Sequence, residues 1–335
     1  MSEPTMADVA AHLGVSRQLV SIVMRDMPGA SDATRRRVRE AASELGYQPH
    51  IGARSLRQTR STHIGVSFAP QHSSEPDIVE AIYPAASHYG YQVVLSAQTA
   101  TRSTTQAVEE LLGYRCAALV VIGSDLSDAK MRKLARRVKV PMVVIGAGAP
   151  NPVYDIVRSA GETGIASLVE HLLGLGHCRI AYVHAASMPP AGPRRQGYLD
   201  AMAARGVEVD VVQIPGGDYT EEAGAAAARI LLDRSALPTA VLAGNDQQAV
   251  GMITVLSRSG VSVPGQISVT GFDDSRSARL SSIDLTTARQ DPVLMGCAAV
   301  EAAVRRIEAP DEAPSTALIE PSTVLRSSTA PPRVV

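Results

Sequence analysis

The sequence predicts an α/β protein: an N-terminal all-α helix-turn-helix headpiece, then a two-lobed body of doubly wound parallel sheets. Residues 5–24 place apolar side chains at helical spacing on both sides of a Gly14-Val15-Ser16 break. From His63 onward, short β-branched runs alternate with helical stretches, as parallel strands joined by right-handed crossovers require. Roughly ten such units in one run are expected to form two doubly wound lobes rather than one.

The head is read first. Val9, Ala10 and Leu13 give the first helix its apolar face, and Leu19, Val20 and Val23 the second. Gly14 can end the first helix left-handed, and Ser16 can cap the second. Thr5 with Asp8 reads as a capping box, although Asp reaches less far than Glu. Small Ala10 allows the helices to cross closely, which favours a helix-turn-helix over an ordinary helical hairpin. Ser31 can cap a third helix whose face is Val38, Ala41, Ala42 and Leu45, ended by Gly46. In such a head the second helix enters the major groove with its N-terminal side chains facing the bases. Those are Ser16, Arg17, Gln18 and Ser21. Arg17 can bridge O6 and N7 of guanine, and Gln18 can bridge N6 and N7 of adenine.

Charge fits a DNA-contacting head. The whole chain of 335 residues has a formal net charge of −1, which argues against an indiscriminate polycation. Residues 1–60 hold nine Arg against six acids, a net of +3, which suits phosphate contact. Arg35, Arg36 and Arg37 read equally well as a solvated helix face. The three cysteines, Cys116, Cys178 and Cys297, have no metal-like spacing and are expected to be buried small hydrophobes. No apolar run approaches about 18 residues, and the N-terminus lacks a basic-then-apolar signal, so a cytoplasmic protein is expected. No metal site or cofactor is expected either: neither a Walker nor a dinucleotide fingerprint is present, and Ser67 and Cys178 have no nucleophile motif around them.

In the body the expected strands are 63–69, 92–97, 117–123, 142–146, 180–184, 239–243 and 267–271. The expected helices lie near 78–89, 107–113, 128–137, 162–173, 195–204, 221–233 and 245–259. Ligands of doubly wound folds sit outside the C-terminal ends of the strands. Arg194, Asn245, Asp246 and Asp273 fall at strand ends or helix starts. Each also has a plain structural reading: Asp246 as a helix cap, Asp273 as a turn former, Arg194 as a solvated helix end.

Several motifs together resemble the bacterial lactose-repressor (LacI/GalR) family of transcription regulators. In the head they are T-M-A-D-V-A from Thr5, the G-V-S turn, E-L-G-Y-Q-P and A-R-S-L-R at 53–57. In the body they are E-H-L-L-G-L-G-H-C-R-I-A at 170–181, R-R-Q-G-Y at 194–198, A-G-N-D-Q-Q-A-V-G at 243–251, V-P-G-Q-I-S-V-T-G-F-D-D at 263–274 and L-T-T-A-R-Q-D at 285–291. The resemblance covers nearly the whole chain. It implies a periplasmic-binding-protein-like body that senses an effector, often a sugar. It implies a headpiece over 1–49, a hinge helix or linker over 50–61, and an effector-binding and dimerisation domain over 62–335. Within the last, the first lobe is expected at 62–158 plus 291–319 and the second at 159–288 plus 320–335.

The resemblance also implies roles. Arg17 and Gln18 match the family's base-reading positions, and Thr5 is counted among the DNA contacts. Ile22 replaces a customary Arg; it cannot donate a hydrogen bond but can touch a thymine methyl. Leu19 stands where Thr is usual. Ala53, Arg54, Leu56 and Arg57 match the hinge helix, with Leu56 as the minor-groove wedge and the two arginines on the backbone. Gly52 weakens that helix, as suits a segment that orders only on DNA. In the cleft, Arg194, Asn245, Asp246 and Asp273 match effector-binding positions, and Tyr219 matches an aromatic that stacks on the ligand. Carboxylates and a guanidinium fork suit vicinal hydroxyls.

The first lobe departs from the family pattern. An aromatic N-P-F-F-like segment is replaced by Gln71-His72-Ser73-Ser74-Glu75-Pro76, and customary carboxylate positions hold Gly146, Ala117 and Ala160. The sequence therefore predicts a non-enzymatic, sequence-specific DNA-binding regulator, a repressor by expectation. It would act as a homodimer on a near-palindromic operator, modulated by a sugar or sugar-like effector bound between the lobes. The alternative keeps DNA binding with a degenerate, non-sugar or ligand-independent sensor; a solute-binding protein is less favoured. The tail lacks a leucine heptad, so a dimer is expected and not a tetramer.

Overall fold

The computed structural model describes residues 4–47, 61–146, 152–184, 191–214 and 218–333. The chain divides into two compact units, Met1–Ser61 and Thr62–Val335.

The first unit holds three helices, α1 (Met6–Leu13), α2 (Arg17–Met24) and α3 (Asp32–Glu44). The Asp8 carboxylate does reach back, accepting from the Thr5 N–H at 2.7 Å, and the Thr5 hydroxyl accepts from the Ala7 N–H at 3.2 Å. Gly14 sits at φ 64°, ψ 32°, which only a residue without Cβ adopts cheaply, and Ser16 accepts from the Leu19 N–H at 3.1 Å. Val9, Val20, Val23 and Val38 are almost wholly buried, with Ala10, Ala41 and Ala42 at the close crossings. Aliphatic side chains on all three helices thus hold the second helix at a fixed angle to the first.

The second unit is built on two six-stranded sheets. The first is wholly parallel, in spatial order β11-β5-β4-β3-β1-β2, from β1 (His63–Phe68), β2 (Gln92–Ala97), β3 (Ala118–Ile122), β4 (Met142–Ile145), β5 (Asp155–Ser159) and β11 (Thr316–Ile319). Helices α4 (Glu75–His88) and α11 (Pro292–Glu308) cover one face; α5 (Thr104–Gly113) and α6 (Asp128–Arg137) cover the other. Strands β3 and β4 read ALVVI and MVVI and are buried throughout, as strands covered on both faces must be.

The second sheet runs β12-β10-β9-β8-β6-β7, with β6 (Ile180–His184), β7 (Asp210–Gln213), β8 (Ala240–Leu242), β9 (Ser268–Asp273), β10 (Thr286–Arg289) and β12 (Ser322–Val324). Only β12 is antiparallel to its neighbour. Helices α7 (Gly161–Gly174) and α8 (Ala191–Ala204) pack on one face, α9 (Glu221–Leu232) and α10 (Asp246–Arg258) on the other. The α9–α10 crossing is backbone against backbone: a Cβ on Gly224 would lie 2.0 Å from the Gln248 carbonyl oxygen, and one on Gly251 2.0 Å from that of Glu221.

Every strand and helix expected in the body forms, with ends moved by up to four residues; the hinge helix expected within 50–61 lies outside the described residues. The alternation pattern missed β5, β7, β10, β11 and β12. They are three to five residues long, and β7, β11 and β12 are sheet edges with partly exposed or polar faces. It also missed α11, although Asp291 accepting from the Val293 and Leu294 N–H groups before Pro292 is a readable helix start. One cysteine expectation fails. Cys116 is buried and Cys297 half-buried, but Cys178 is exposed, lying in the turn between α7 and β6 where no face covers it.

Candidate functional site

In the head, Arg17 and Gln18 are exposed in the first turn of α2, one helical step apart, beyond the capping Ser16. Ser21 and Ile22 follow half-buried on the next turn, and Ile22 borders Gly29, whose added Cβ would lie 3.9 Å away. Thr5 is engaged in the capping box at the start of α1. Five residues proposed from sequence are thus held on α2 or its cap by the valine core beneath. Ala53, Arg54, Leu56 and Arg57 lie outside the described residues.

In the body a cavity opens between the C-terminal ends of the two sheets. Its empty space, counted with the part open to solvent, is about 850 Å³. Arg194, Tyr219, Asn245 and Asp273 line it. Arg194 is 4 % exposed, so the reading of it as a solvated helix end is wrong. Its guanidinium lies 3.8 Å from the Phe272 ring centroid and 5.1 Å from that of Tyr219. It donates to the Gly244 carbonyl at 2.6 Å and to Asp273 Oδ1 at 3.4 Å. Stacking between two rings fixes the plane of the fork, as Lys could not. Asp273 also accepts from Gln290 Nε2 at 2.5 Å. It adopts φ +123°, a region that favours glycine, so its carboxylate is aimed at a backbone cost of order 1–3 kcal/mol. Burial pushes the Asp273 carboxyl above the ordinary range, opposed by the Arg194 charge. Asn245 caps α10, accepting from the Gln248 N–H at 2.9 Å, and donates to the Tyr219 carbonyl at 3.1 Å.

Asp246 corrects the sequence reading. It is wholly buried behind the wall and does not line the cavity: Oδ2 accepts from the Ser275 N–H at 2.7 Å and Oδ1 from the Thr287 hydroxyl at 2.6 Å. Its carboxylate staples the loop after β9 to β10. Nor is it the helix cap, which is Asn245.

Four residues missed from sequence complete the wall. His72 Nδ1 lies 2.7 Å from Glu75 Oε1, and Glu75 Oε2 accepts from the Ala69 N–H at 2.6 Å. Burial raises the Glu75 carboxyl, and the hydrogen bond to Glu75 raises the His72 imidazole. These two belong to the 71–76 segment that departs from the family pattern, so the departure replaces cleft chemistry and does not simply delete it. Gln247 Nε2 donates to the Gln71 carbonyl at 3.2 Å and its Oε1 accepts from the Ser73 N–H at 3.1 Å, tying α10 to the first sheet's loop. Outside the cavity, Arg276 joins the same two halves through Asp77 at 2.8 Å and Glu80 at 3.0 Å. Gln247 and Gln290 stand in the quoted motifs at 243–251 and 285–291; amides at a helix start and a strand end beside candidate carboxylates were the available signal.

A buried guanidinium and carboxylate face a second sheet across a cavity, in a body of two mainly parallel sheets whose chain carries a helix-turn-helix head as a separate unit. Residues 5–50 match the profile of bacterial regulatory proteins of the lacI family, and residues 169–329 match a periplasmic binding protein-like domain. The HTH-type transcriptional regulator GalR of Escherichia coli is 33% identical over 333 residues, covering 98% of this chain and 96% of GalR. A crystal structure of the lac repressor dimer bound to operator and the anti-inducer ONPF aligns with TM-score 0.82 and 29% identity, covering 98% of this chain and 100% of that one. A transcriptional regulator CelR–cellobiose complex aligns with TM-score 0.70 and 30% identity, covering 97% and 99%. The chain belongs to the lacI family and is a helix-turn-helix transcriptional regulator, not an enzyme. Among the described residues no helix is long and apolar enough to cross a membrane.

Proposed function

We propose that this regulator is a homodimeric repressor that binds a near-palindromic operator in the cytoplasm and is switched by a sugar-like effector held in the cleft. The buried Arg194–Asp273 pair facing the cavity carries the reading. A charged pair at 5 % and 6 % side-chain exposure costs desolvation that apolar residues would avoid, and a site for hydroxyl groups is what it supplies. The same pair favours a ligand-responsive protein over one whose sensor has lost its ligand. The lac repressor structure is described as a dimer on operator with an anti-inducer, and the CelR structure as a complex with cellobiose. Arg17 and Gln18 are proposed to read bases, with Ser16, Ser21, Ile22 and Thr5 beside them. The hinge residues Ala53, Arg54, Leu56 and Arg57 are proposed to enter the minor groove. Arg194, Tyr219, Asn245 and Asp273 are proposed to hold the effector, with Asp246 supporting them from behind. The two sheets, each with its helices, are proposed as the two lobes.

The test is selection of genomic fragments by the purified protein, followed by a carbohydrate screen for ligands that change affinity for the selected site. A symmetric site whose affinity shifts with one ligand, and no longer shifts in Arg194→Met, supports the reading. An asymmetric site, or affinity indifferent to every ligand, overturns it.

A further inference from the structure

The turn between α2 and α3 carries an acid where three effects disfavour one. Helix α2 ends in a Schellman closure: the Asp26 N–H donates to the Val23 carbonyl at 3.1 Å, and the Met27 N–H to the Ile22 carbonyl at 3.0 Å. Asp26 therefore takes the left-handed position, φ +52°, where glycine or asparagine is usual. Its carboxylate also lies at the negative end of the α2 dipole, and it subtracts charge from a head that meets phosphate. Glycine would avoid all three costs. What aspartate adds is a tie to α3. Arg35 and Arg39 stand one helical turn apart on the same face of α3, and both reach back to the turn. Arg39 Nη2 donates to Asp26 Oδ1 at 2.5 Å and Arg35 Nη1 donates to it at 3.5 Å, while Arg35 Nη2 donates to the Met27 carbonyl at 2.5 Å. Arg36 and Arg37, between them in sequence, are exposed. The turn held in this way wraps Ile22, whose carbonyl accepts the Met27 N–H and whose side chain borders Gly29.

We infer that Asp26 is a positioning residue for sequence recognition. Through Arg35 and Arg39 it fixes the turn behind Ile22, and so the second half of α2, and it keeps both arginines off the phosphates. The inference rests on α2 being the base-reading helix, as proposed above. Exposed ion pairs add little stability, so the gain lies in orientation and in which arginines stay free. Two loose arginines beside α2 would grip any duplex, whatever its sequence.

The test is binding of the full chain to its selected operator and to random-sequence DNA across a salt series, wild type against Asp26→Asn. Asparagine tolerates the left-handed turn, keeps the shape and removes the charge. Loss of an acid would by itself tighten binding to both DNAs alike. The clamp instead predicts random-DNA affinity about 2–5-fold higher, with a salt slope steeper by about one to two as the freed arginines reach phosphates. The ratio of operator to random affinity should fall about 5–20-fold. Arg39→Gln should lower that ratio too, and leave the random-DNA salt slope unchanged. Equal gains on both DNAs in Asp26→Asn would make Asp26 a plain surface charge, and equal losses would mark a damaged fold; either overturns the inference. So does a slope shallower by about one in Arg39→Gln, the sign of a phosphate contact. If the wild type prefers no sequence, base reading by α2 fails first and the positioning role falls with it.

Discussion

Asp246→Asn should stabilise the body at alkaline pH and leave it little changed at acid pH. The Asp246 carboxyl is pushed from the ordinary 3.8 up to about 7, first by burial and then by the nearby Asp273 charge. A raised folded-state pKa means that the native state holds a proton the unfolded chain has lost. Stability is therefore fully present below the unfolded value and declines as pH rises through the folded one. At 1.36 kcal/mol per unit, the distance from 3.8 to about 7 sets an upper bound of roughly 4 kcal/mol. Asparagine has the same shape. Its carbonyl can accept from the Ser275 N–H, and its amide can donate to the Thr287 hydroxyl, which then turns from donor to acceptor. Neither neighbour is orphaned, and no charge remains to be desolvated.

Urea melts of wild type and variant should be followed by circular dichroism, since the chain has no tryptophan. The two should agree within about 1 kcal/mol at pH 5, while at pH 8 the variant should lead by about 1–3 kcal/mol, or on the order of 3–9 °C in Tm. A stability difference that stays constant or narrows between pH 5 and 8 would refute the assignment of a buried, proton-holding carboxyl.

Three further substitutions probe packing and the head. Gly224→Ala places a methyl group where the Gln248 backbone already lies, and should cost about 2–4 kcal/mol by denaturant titration; a loss below ~1 kcal/mol would mean that the α9–α10 crossing yields. Arg17→Ala should relax preference at one base pair of each half-site, by about 1–3 kcal/mol in competition against single-base operator variants; uniform weakening across all variants would make Arg17 a phosphate contact. Leu56→Ala should weaken operator binding far more than binding to random DNA, and equal losses on both would remove the wedge role.

The head was legible because its cues are local. Gly14, Ser16 and the 3.6-residue spacing of valines each act within one or two helical turns, and the described structure uses every one of them. The buried central strands were legible for a related reason, since runs such as ALVVI leave little else to form. The edge strands were not, because TALI and STV become strands through a neighbour brought from far along the chain: β11 pairs β5 across some 160 residues of sequence. The cleft was half legible. Arg194, Asn245 and Asp273 stand at the strand ends or helix starts where doubly wound folds bind ligands. Which carboxylate faces the cavity depends on side-chain direction at the turn, and spacing carries none of that; Asp246 and Asp273 are alike in sequence and opposite in space.

That difference bears on how a ligand could be felt beyond the cleft. Asp246 and Gln247 are successive residues in the first turn of α10, about 100° apart around its axis, so they face different neighbours. Asp246 turns inward and ties the loop after β9 to β10, fixing the backbone that carries Asp273. Gln247 turns across the cleft and holds the Gln71 and Ser73 backbone beside His72. One helix end therefore sets both the cavity-facing carboxylate and the grip on the opposite sheet. A ligand that draws Asp273 and Arg194 toward itself acts on the same turn of helix that spans the cleft. Its effect on DNA affinity can be no larger than its preference for the DNA-binding arrangement over any other, whatever its affinity for either.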